Sequence, residues 1–168
     1  MPTRILSLCG SSEADSRLEH ILEIASNAAR LAGAQVTMLH IGELDLPLMR
    51  VSDAGQALHP GVQRLREAAA EADGFLIGTP EYHGTMSGAL KNAFDFLYPE
   101  IAGKFAAVVA TTGGGSGDLS ITTVKRTFAW CHGFTLPFHA AAPRAAFVDG
   151  QLHDDKIRDR LERIGHDL

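Results

Sequence analysis

A doubly wound α/β fold, with five parallel strands in the order 2-1-3-4-5 and helices on both faces, is the class this sequence predicts. Two observations lead there. Short continuous apolar runs, the mark of strands buried on both faces, alternate with stretches of helical periodicity through most of the chain. Polar and glycine-rich turns follow the first, third and fourth apolar runs, at the sheet edge where such folds put their ligand crevice.

Each element has its own signal. Arg4 to Cys9 reads as the first strand. Leu18, Ile21, Leu22, Ala25, Ala29 and Ala32 then recur at helical spacing, and Gly33 ends that helix where a left-handed residue is wanted. Ala34 to Ile41 is the second strand. From Gly42 to Gly61, Pro47, Gly55 and Pro60 interrupt short apolar pieces at Leu46 and Leu48-Met49. This is a long loop, and loops of that length in compact domains are usually functional or interfacial. A helix over about Val62 to Ala72 precedes the third strand, Gly74 to Gly78. Leu90, Ala93, Phe94 and Leu97 form one stripe of a third helix, and Lys104 to Thr111 is the fourth strand. A helix then runs to about His132, and Phe134 to Ala140 is the fifth strand. Pro143 to Gly150 is ambiguous, readable as an extension of that strand, and Asp154 to Ile164 is a short charged terminal helix.

Composition narrows the function. A chain of 168 residues fits a single domain, 1–168, able to bury a core without staples. The formal charge of -5 and the scattered Lys and Arg residues argue against nucleic acid. No apolar run approaches the ~20 residues that cross a bilayer, and the N-terminus enters a strand directly, so no membrane association and a cytoplasmic location are expected. Cys9 and Cys131 form no Cys-x-x-Cys pair, and Cys9, ending an apolar strand, reads as a small buried hydrophobe. The 8 histidines show no recurring ligand spacing, so no metal is expected. The serines lack a Gly-x-Ser-x-Gly elbow, which argues against a hydrolase. Cys131 and His132 are neighbours at a helix end, point apart and read as structural.

Right-handed crossovers set the ends of the first, third and fourth strands side by side, so the loops after them converge. The first is Gly10-Ser11-Ser12-Glu13-Ala14-Asp15-Ser16. Amides and hydroxyls at a helix start suit a phosphate, while Ser16-Arg17-Leu18-Glu19 also fits a capping box in which Ser16 only satisfies helix amides. The central turn joins a buried strand to an amphipathic helix through Pro80, Glu81, Tyr82, His83 and Gly84, placed to meet a flat ligand with backbone atoms and one aromatic ring. Tyr82 divides evenly between ordinary packing and ligand or subunit contact, whereas Lys91 and Asn92 read as solvated or capping. The last loop contains Thr112, Gly113, Gly114, Gly115 and Gly117. Its glycines let amides approach a planar group closely, or make a flexible connection.

The central stretch resembles the Pro-Glu-Tyr-Asn...Gly-x-Leu-Lys-Asn turn of the NAD(P)H-dependent FMN reductases, which have a flavodoxin-like fold. Pro80, Glu81 and Tyr82 match it in order, His83 stands for the Asn, and Gly88, Leu90, Lys91, Asn92 and Ala93 continue the match. Gly10, Ser11 and Ser16 match the family's Gly-Ser-x-Arg-x-x-Ser phosphate loop, with Glu13 in place of the arginine. The likeness runs from the first strand to the fifth and fades after about Pro143.

The resemblance implies FMN as cofactor and NAD(P)H as co-substrate. Hydride would pass through FMN to a small-molecule acceptor such as free flavin, a quinone, an azo compound or a metal oxyanion, with no catalytic side-chain acid or base. It places Gly10, Ser11 and Ser16 at the phosphate, where Glu13 and Asp15 would repel a dianion and lower its affinity unless both side chains turn outward or Arg17 swings in to compensate. Pro80, Glu81, Tyr82, His83 and Gly84 run along the isoalloxazine ring, the amides of Glu81, Tyr82 and His83 meeting its pyrimidine edge. Thr112, Gly113, Gly114 and Gly115 close around the ring, and their amides before a helix stabilise charge on the reduced form. Arg17 and Arg50 are candidates for a nucleotide 2'-phosphate. A homodimer or homotetramer is expected, with Leu46, Pro47, Leu48, Met49, Phe96 and Tyr98 at the contact or in a lid. Two other readings stay open: a flavodoxin-like one-electron carrier, disfavoured by the modest charge of -5, and a flavin-free interaction or regulatory domain whose acidic first loop has abolished FMN binding.

Overall fold

The structure, a computed structural model, describes residues Met1–Leu168. Strands β1 (Arg4–Cys9), β2 (Gln35–His40), β3 (Gly74–Pro80), β4 (Phe105–Thr112) and β5 (Phe134–Pro143) form one sheet in the order β2-β1-β3-β4-β5, every pairing parallel. Helices α1 (Arg17–Leu31) and α5 (Asp155–Asp167) pack on one face, and α2 (Pro60–Glu71), α3 (Gly88–Asp95) and α4 (Asp118–Trp130) cover the other. Successive strand residues alternate between these cores. Leu6, Leu8, Phe75, Ile77, Val108 and Ala110 join the α2/α3/α4 core, whereas Ile5, Cys9, Leu76, Ala107 and Val109 join the α1/α5 core. The central strands are therefore apolar on both sides, which is why they read as unbroken runs.

The expected strands and helices are present, with shifted ends. β3 continues to Pro80 because Thr79 and Pro80 still pair with Ala110 and Thr111. A proline is tolerated at that terminus. α2 begins at Pro60, where His59 Nδ1 accepts the Gly61 amide and proline suits the first turn. α3 ends at Asp95, so Leu97 is buried beyond the helix instead of on its stripe. Gly33 has φ 101, the left-handed end that its position implied.

The long loop contains short 3-10 turns at Ile41–Glu43 and Ala54–Leu58. Its extended part is held by side-chain amides from both sides. Asn92 accepts from the Met49 amide (2.9 Å) and donates to the Pro47 carbonyl (3.0 Å), while Gln56 accepts from the Arg50 amide (2.8 Å) and donates to the Leu48 carbonyl (2.8 Å). Asn92 is thus neither solvated nor a helix cap but a clamp on a loop far away in sequence. Lys91, by contrast, is a surface residue paired with Asp95.

The ambiguous segment after Pro143 divides in two. β6 (Phe147–Val148) pairs antiparallel with β7 (Gln151–Leu152). The connection, Asp149 at φ 48 and Gly150 at φ 79, has the positive dihedrals of a two-residue hairpin turn.

Candidate functional site

β1, β3 and β4 are neighbours, so the loops that leave their C-terminal ends start together. Hydrogen bonds make the first loop and the central turn one unit. The Gly10 amide donates to the Gly78 carbonyl at 3.0 Å. Ser87 caps α3 by accepting the Leu90 amide at 3.1 Å, and its hydroxyl donates to the Gly10 carbonyl at 2.6 Å. Thr79 Oγ1 in turn accepts the Ser87 amide at 3.0 Å. Glycine is required at position 10, since a Cβ there would lie 2.6 Å from the Gly78 carbonyl oxygen.

The central turn folds back on itself. Tyr82 and Thr85 exchange backbone hydrogen bonds of 3.1 and 3.0 Å across His83 (φ 51) and Gly84 (φ 71). Positive φ at both central residues is the type I' pattern, which favours Asn-Gly, so the histidine stands where asparagine is conformationally easier. The Glu81 amide donates to the Thr111 carbonyl at 2.8 Å, and the Tyr82 amide is used within the hairpin. The expectation that the amides of Glu81, Tyr82 and His83 all face a ligand is corrected accordingly: the fold already uses those of Glu81 and Tyr82, leaving His83 and Gly84. The Tyr82 side chain is 55 % exposed, so core packing does not hold it.

In the first loop Ser11 is buried and accepts the Glu13 amide at 3.1 Å, while Ser16 caps α1 by accepting the Glu19 amide at 3.2 Å. Only half of the expected capping box forms, because the Glu19 carboxylate lies near His40 Nε2, at 3.7 Å. The Ser12, Ala14 and Asp15 amides make no hydrogen bond within the chain. Glu13 and Asp15 are both exposed. Arg17 does not swing into this loop, since its guanidinium lies over the Phe147 ring, 5.5 Å from the centroid. The β6/β7 hairpin thus gives the arginine an aromatic partner outside the loop.

The glycine loop starts at Thr112, whose hydroxyl donates to the Gly115 carbonyl at 2.8 Å. A Cβ at Gly113 or Gly114 would meet nothing within 4 Å, so both face open space. The loop ends at Gly117, φ 76, where a Cβ would lie 2.6 Å from that of Ala141. Glu81 bridges to this region, its Oε2 accepting the Ser120 amide at 3.2 Å. A negative charge at the start of α4 offsets the helix dipole, so the expected stabilisation of a reduced ring falls to the loop amides themselves.

Gly10, Ser11 and Ser16 are thus joined to Pro80, Glu81, Tyr82, His83 and Gly84, which are joined to Thr112, Gly113, Gly114 and Gly115; of the candidates only the Arg17 head stands apart. Ser87, Thr79 and the Glu81 carboxylate were missed. Ser87 carried a signal, a serine before an apolar helical stripe, whereas the Glu81 bridge spans 39 residues and has no local signature. Both cysteines are buried, and burial pushes their thiols up, which removes them from chemistry here.

Residues 3–146 match the model of the NADPH-dependent FMN reductase family. The chain belongs to that family. Its fold is the flavodoxin-like fold, and the family is one of flavin-dependent oxidoreductases that use FMN and a reduced nicotinamide nucleotide. Among relatives, an NADPH azoreductase of Bacillus sp. (strain OY1-2) is 33% identical over 66% of this chain, which spans 63% of that protein. The NADPH-dependent FMN reductase ArsH of Shigella flexneri is 29% identical over 99% of this chain and 68% of its own length. The flavoenzyme NAD(P)H:(acceptor) oxidoreductase FerB of Paracoccus denitrificans superposes with a TM-score of 0.78 at 25% identity, over 97% of this chain and 93% of that one.

The FMN reductase fold of this chain fits the cofactor at the level of its donors. Free amides at Ser12, Ala14 and Asp15, with the Ser11 and Ser16 hydroxyls, suit a phosphate, and the open glycines suit a planar ring. No arginine or lysine side chain is among these phosphate donors. No helix is long and apolar enough to cross a membrane.

Proposed function

We propose that this chain is an NAD(P)H-dependent FMN oxidoreductase that passes hydride from the nucleotide through FMN to a small acceptor, the chemical class being free flavin, a quinone, an azo compound or a metal oxyanion. The observation that carries this reading is the cross-linking of the three loops, through Gly10–Gly78, Ser87–Gly10, Glu81–Thr111 and Glu81–Ser120, into one rim with unpaired amides on both sides of an open space.

FMN supplies the hydride acceptor and donor, so the protein needs to bind and orient. The first-loop amides and the Ser11 and Ser16 hydroxyls hold the phosphate. The amides of His83, Gly84, Gly113, Gly114 and Gly115, with the exposed Tyr82 ring, would hold the isoalloxazine. Glu13 and Asp15 lower phosphate affinity by repulsion, and their exposure lets solvent screen much of it. Arg50 is an exposed candidate for the nucleotide's 2'-phosphate. Nicotinamide and acceptor would take turns over the open ring face.

The whole chain acts as one domain. We further read it as a homodimer or homotetramer in the cytoplasm. Supporting the assembly, a groove of about 560 Å³ lined in part by Phe94, Leu97, Tyr98 and Trp130 adjoins one of about 320 Å³ lined in part by Met49, Val51, Phe96 and Tyr98. Trp130 is 81% exposed at that surface. Sedimentation at micromolar concentration should show a dimer or larger, and a monomer would refute the assembly.

Titrating FMN into flavin-free protein, followed by anaerobic mixing with NADPH or NADH, tests the function. Bleaching of the bound flavin, then reoxidation by an acceptor, is expected. Protein that stays colourless and gains no thermal stability with excess FMN would instead favour the flavin-free module. Reoxidation only in single-electron steps would favour the carrier.

A further inference from the structure

The helices of this chain differ in how their first turns are satisfied. α1, α2, α3 and α5 are each capped by the side chain of the residue just before them: Ser16, His59, Ser87 and Asp154. α4 begins after Gly117, which has no side chain to offer. Nor can that position gain one, because its φ of 76 is left-handed and a Cβ would sit 2.6 Å from the Ala141 Cβ. The only local side chain that reaches the first turn of α4 is Ser116, whose hydroxyl accepts the Asp118 amide at 3.4 Å and leaves the amides beyond it unserved. The amide left without a local partner is that of Ser120, a residue with 0% exposure, where water cannot substitute.

Glu81 fills that vacancy from another loop. Its Oε2 accepts the Ser120 amide at 3.2 Å, and its Oε1 lies 3.3 Å from where a Cβ of Gly115 would stand. Its own amide is fixed to the Thr111 carbonyl at 2.8 Å. One residue thus holds both margins of the rim: its backbone anchors the central turn to β4, and its carboxylate anchors the start of α4 and with it the end of the glycine loop. We propose that the Glu81 carboxylate is a positioning residue, which sets the glycine loop relative to the central turn by capping α4 from outside. The consequence for FMN affinity rests on the function proposed above, whereas the coupling of the two loops does not.

Hydrogen exchange on FMN-free protein, paired with FMN titration, separates those claims. Glu81→Ala should raise exchange at Ser120 and across Gly113–Gly117 by about tenfold, a cap's worth of local stability, while the β1 and β3 amides keep their protection. The same variant should bind FMN about tenfold more weakly if the loop then has to be ordered on binding. Glu81→Gln keeps a carbonyl that can accept the Ser120 amide, and should restore most of both effects. Unchanged exchange at 113–120 in Glu81→Ala would overturn the coupling outright. Raised exchange with unaltered FMN affinity, or a failure of Gln to rescue, would overturn the positioning role. If wild-type protein itself binds no FMN, the functional reading fails, and the exchange experiment still decides whether Glu81 couples the loops.

Discussion

The two sides of the rim are built on different principles. The central turn is braced from every direction: Thr79 and Ser87 tie it to the first loop, Tyr82 and Thr85 close it as a hairpin, and Glu81 fastens it to β4 and α4. The first loop has one internal side-chain contact, Ser11 to the Glu13 amide, and several amides with no partner in the chain. The family motif is kept at the bracing residues Pro80, Glu81 and Tyr82 and broken at Glu13 and at His83, whose side chains hold no other segment. A residue that holds other loops cannot change without shifting them, whereas an exposed loop residue changes only its own contribution to a ligand.

This contrast can be broken most severely at its root. Gly10→Ala drives a Cβ to 2.6 Å from the Gly78 carbonyl oxygen and 3.0 Å from the Leu90 Cβ. Backbone cannot yield there as a flexible side chain does, and a loss of about 3 kcal/mol in urea unfolding is expected. Ser87→Ala comes next. It leaves the Leu90 amide and the Gly10 carbonyl without their partner in a buried setting, at about 2 kcal/mol. It should also weaken FMN binding, because it unties the first loop from the central turn; intact affinity would show the two to be mechanically independent.

Glu13→Arg examines the weakly braced side. It should leave thermal unfolding nearly unchanged and tighten FMN binding by about tenfold, through one charge-assisted contact with a phosphate. An equal gain with riboflavin, which lacks the phosphate, would refute that explanation. The smallest change is His83→Asn, which puts at φ 51 a residue that adopts the left-handed region more readily than histidine. A gain of about 0.5 kcal/mol in denaturant unfolding is expected, with no loss of FMN affinity if the site uses the backbone amide alone.

The strand order, the layering and the three converging loops were legible in the sequence because each rests on local periodicity and on general crossover rules. Even the helix that ends at Gly33 and the capping serine at position 16 follow from short-range chemistry. The Asp149-Gly150 turn was legible in principle, but strands of two residues each offered too little alternation to mark it. Arg17 illustrates the opposite case. Its position at the end of the first loop is plain from sequence, yet its direction depends on Phe147, which reaches it only once β6 is folded onto the α1/α5 face.

What the chain determined by itself is therefore which residues stand at the carboxyl edge of β1, β3 and β4, since periodicity and handedness act within a few residues of each position. Tertiary structure alone decided what those residues do there. Asn92 clamps the loop at Pro47 and Met49, and Glu81 spends its carboxylate on α4, because hydrogen bonds between distant segments are chosen by three-dimensional proximity and by which buried amide lacks a partner. No local pattern encodes that vacancy.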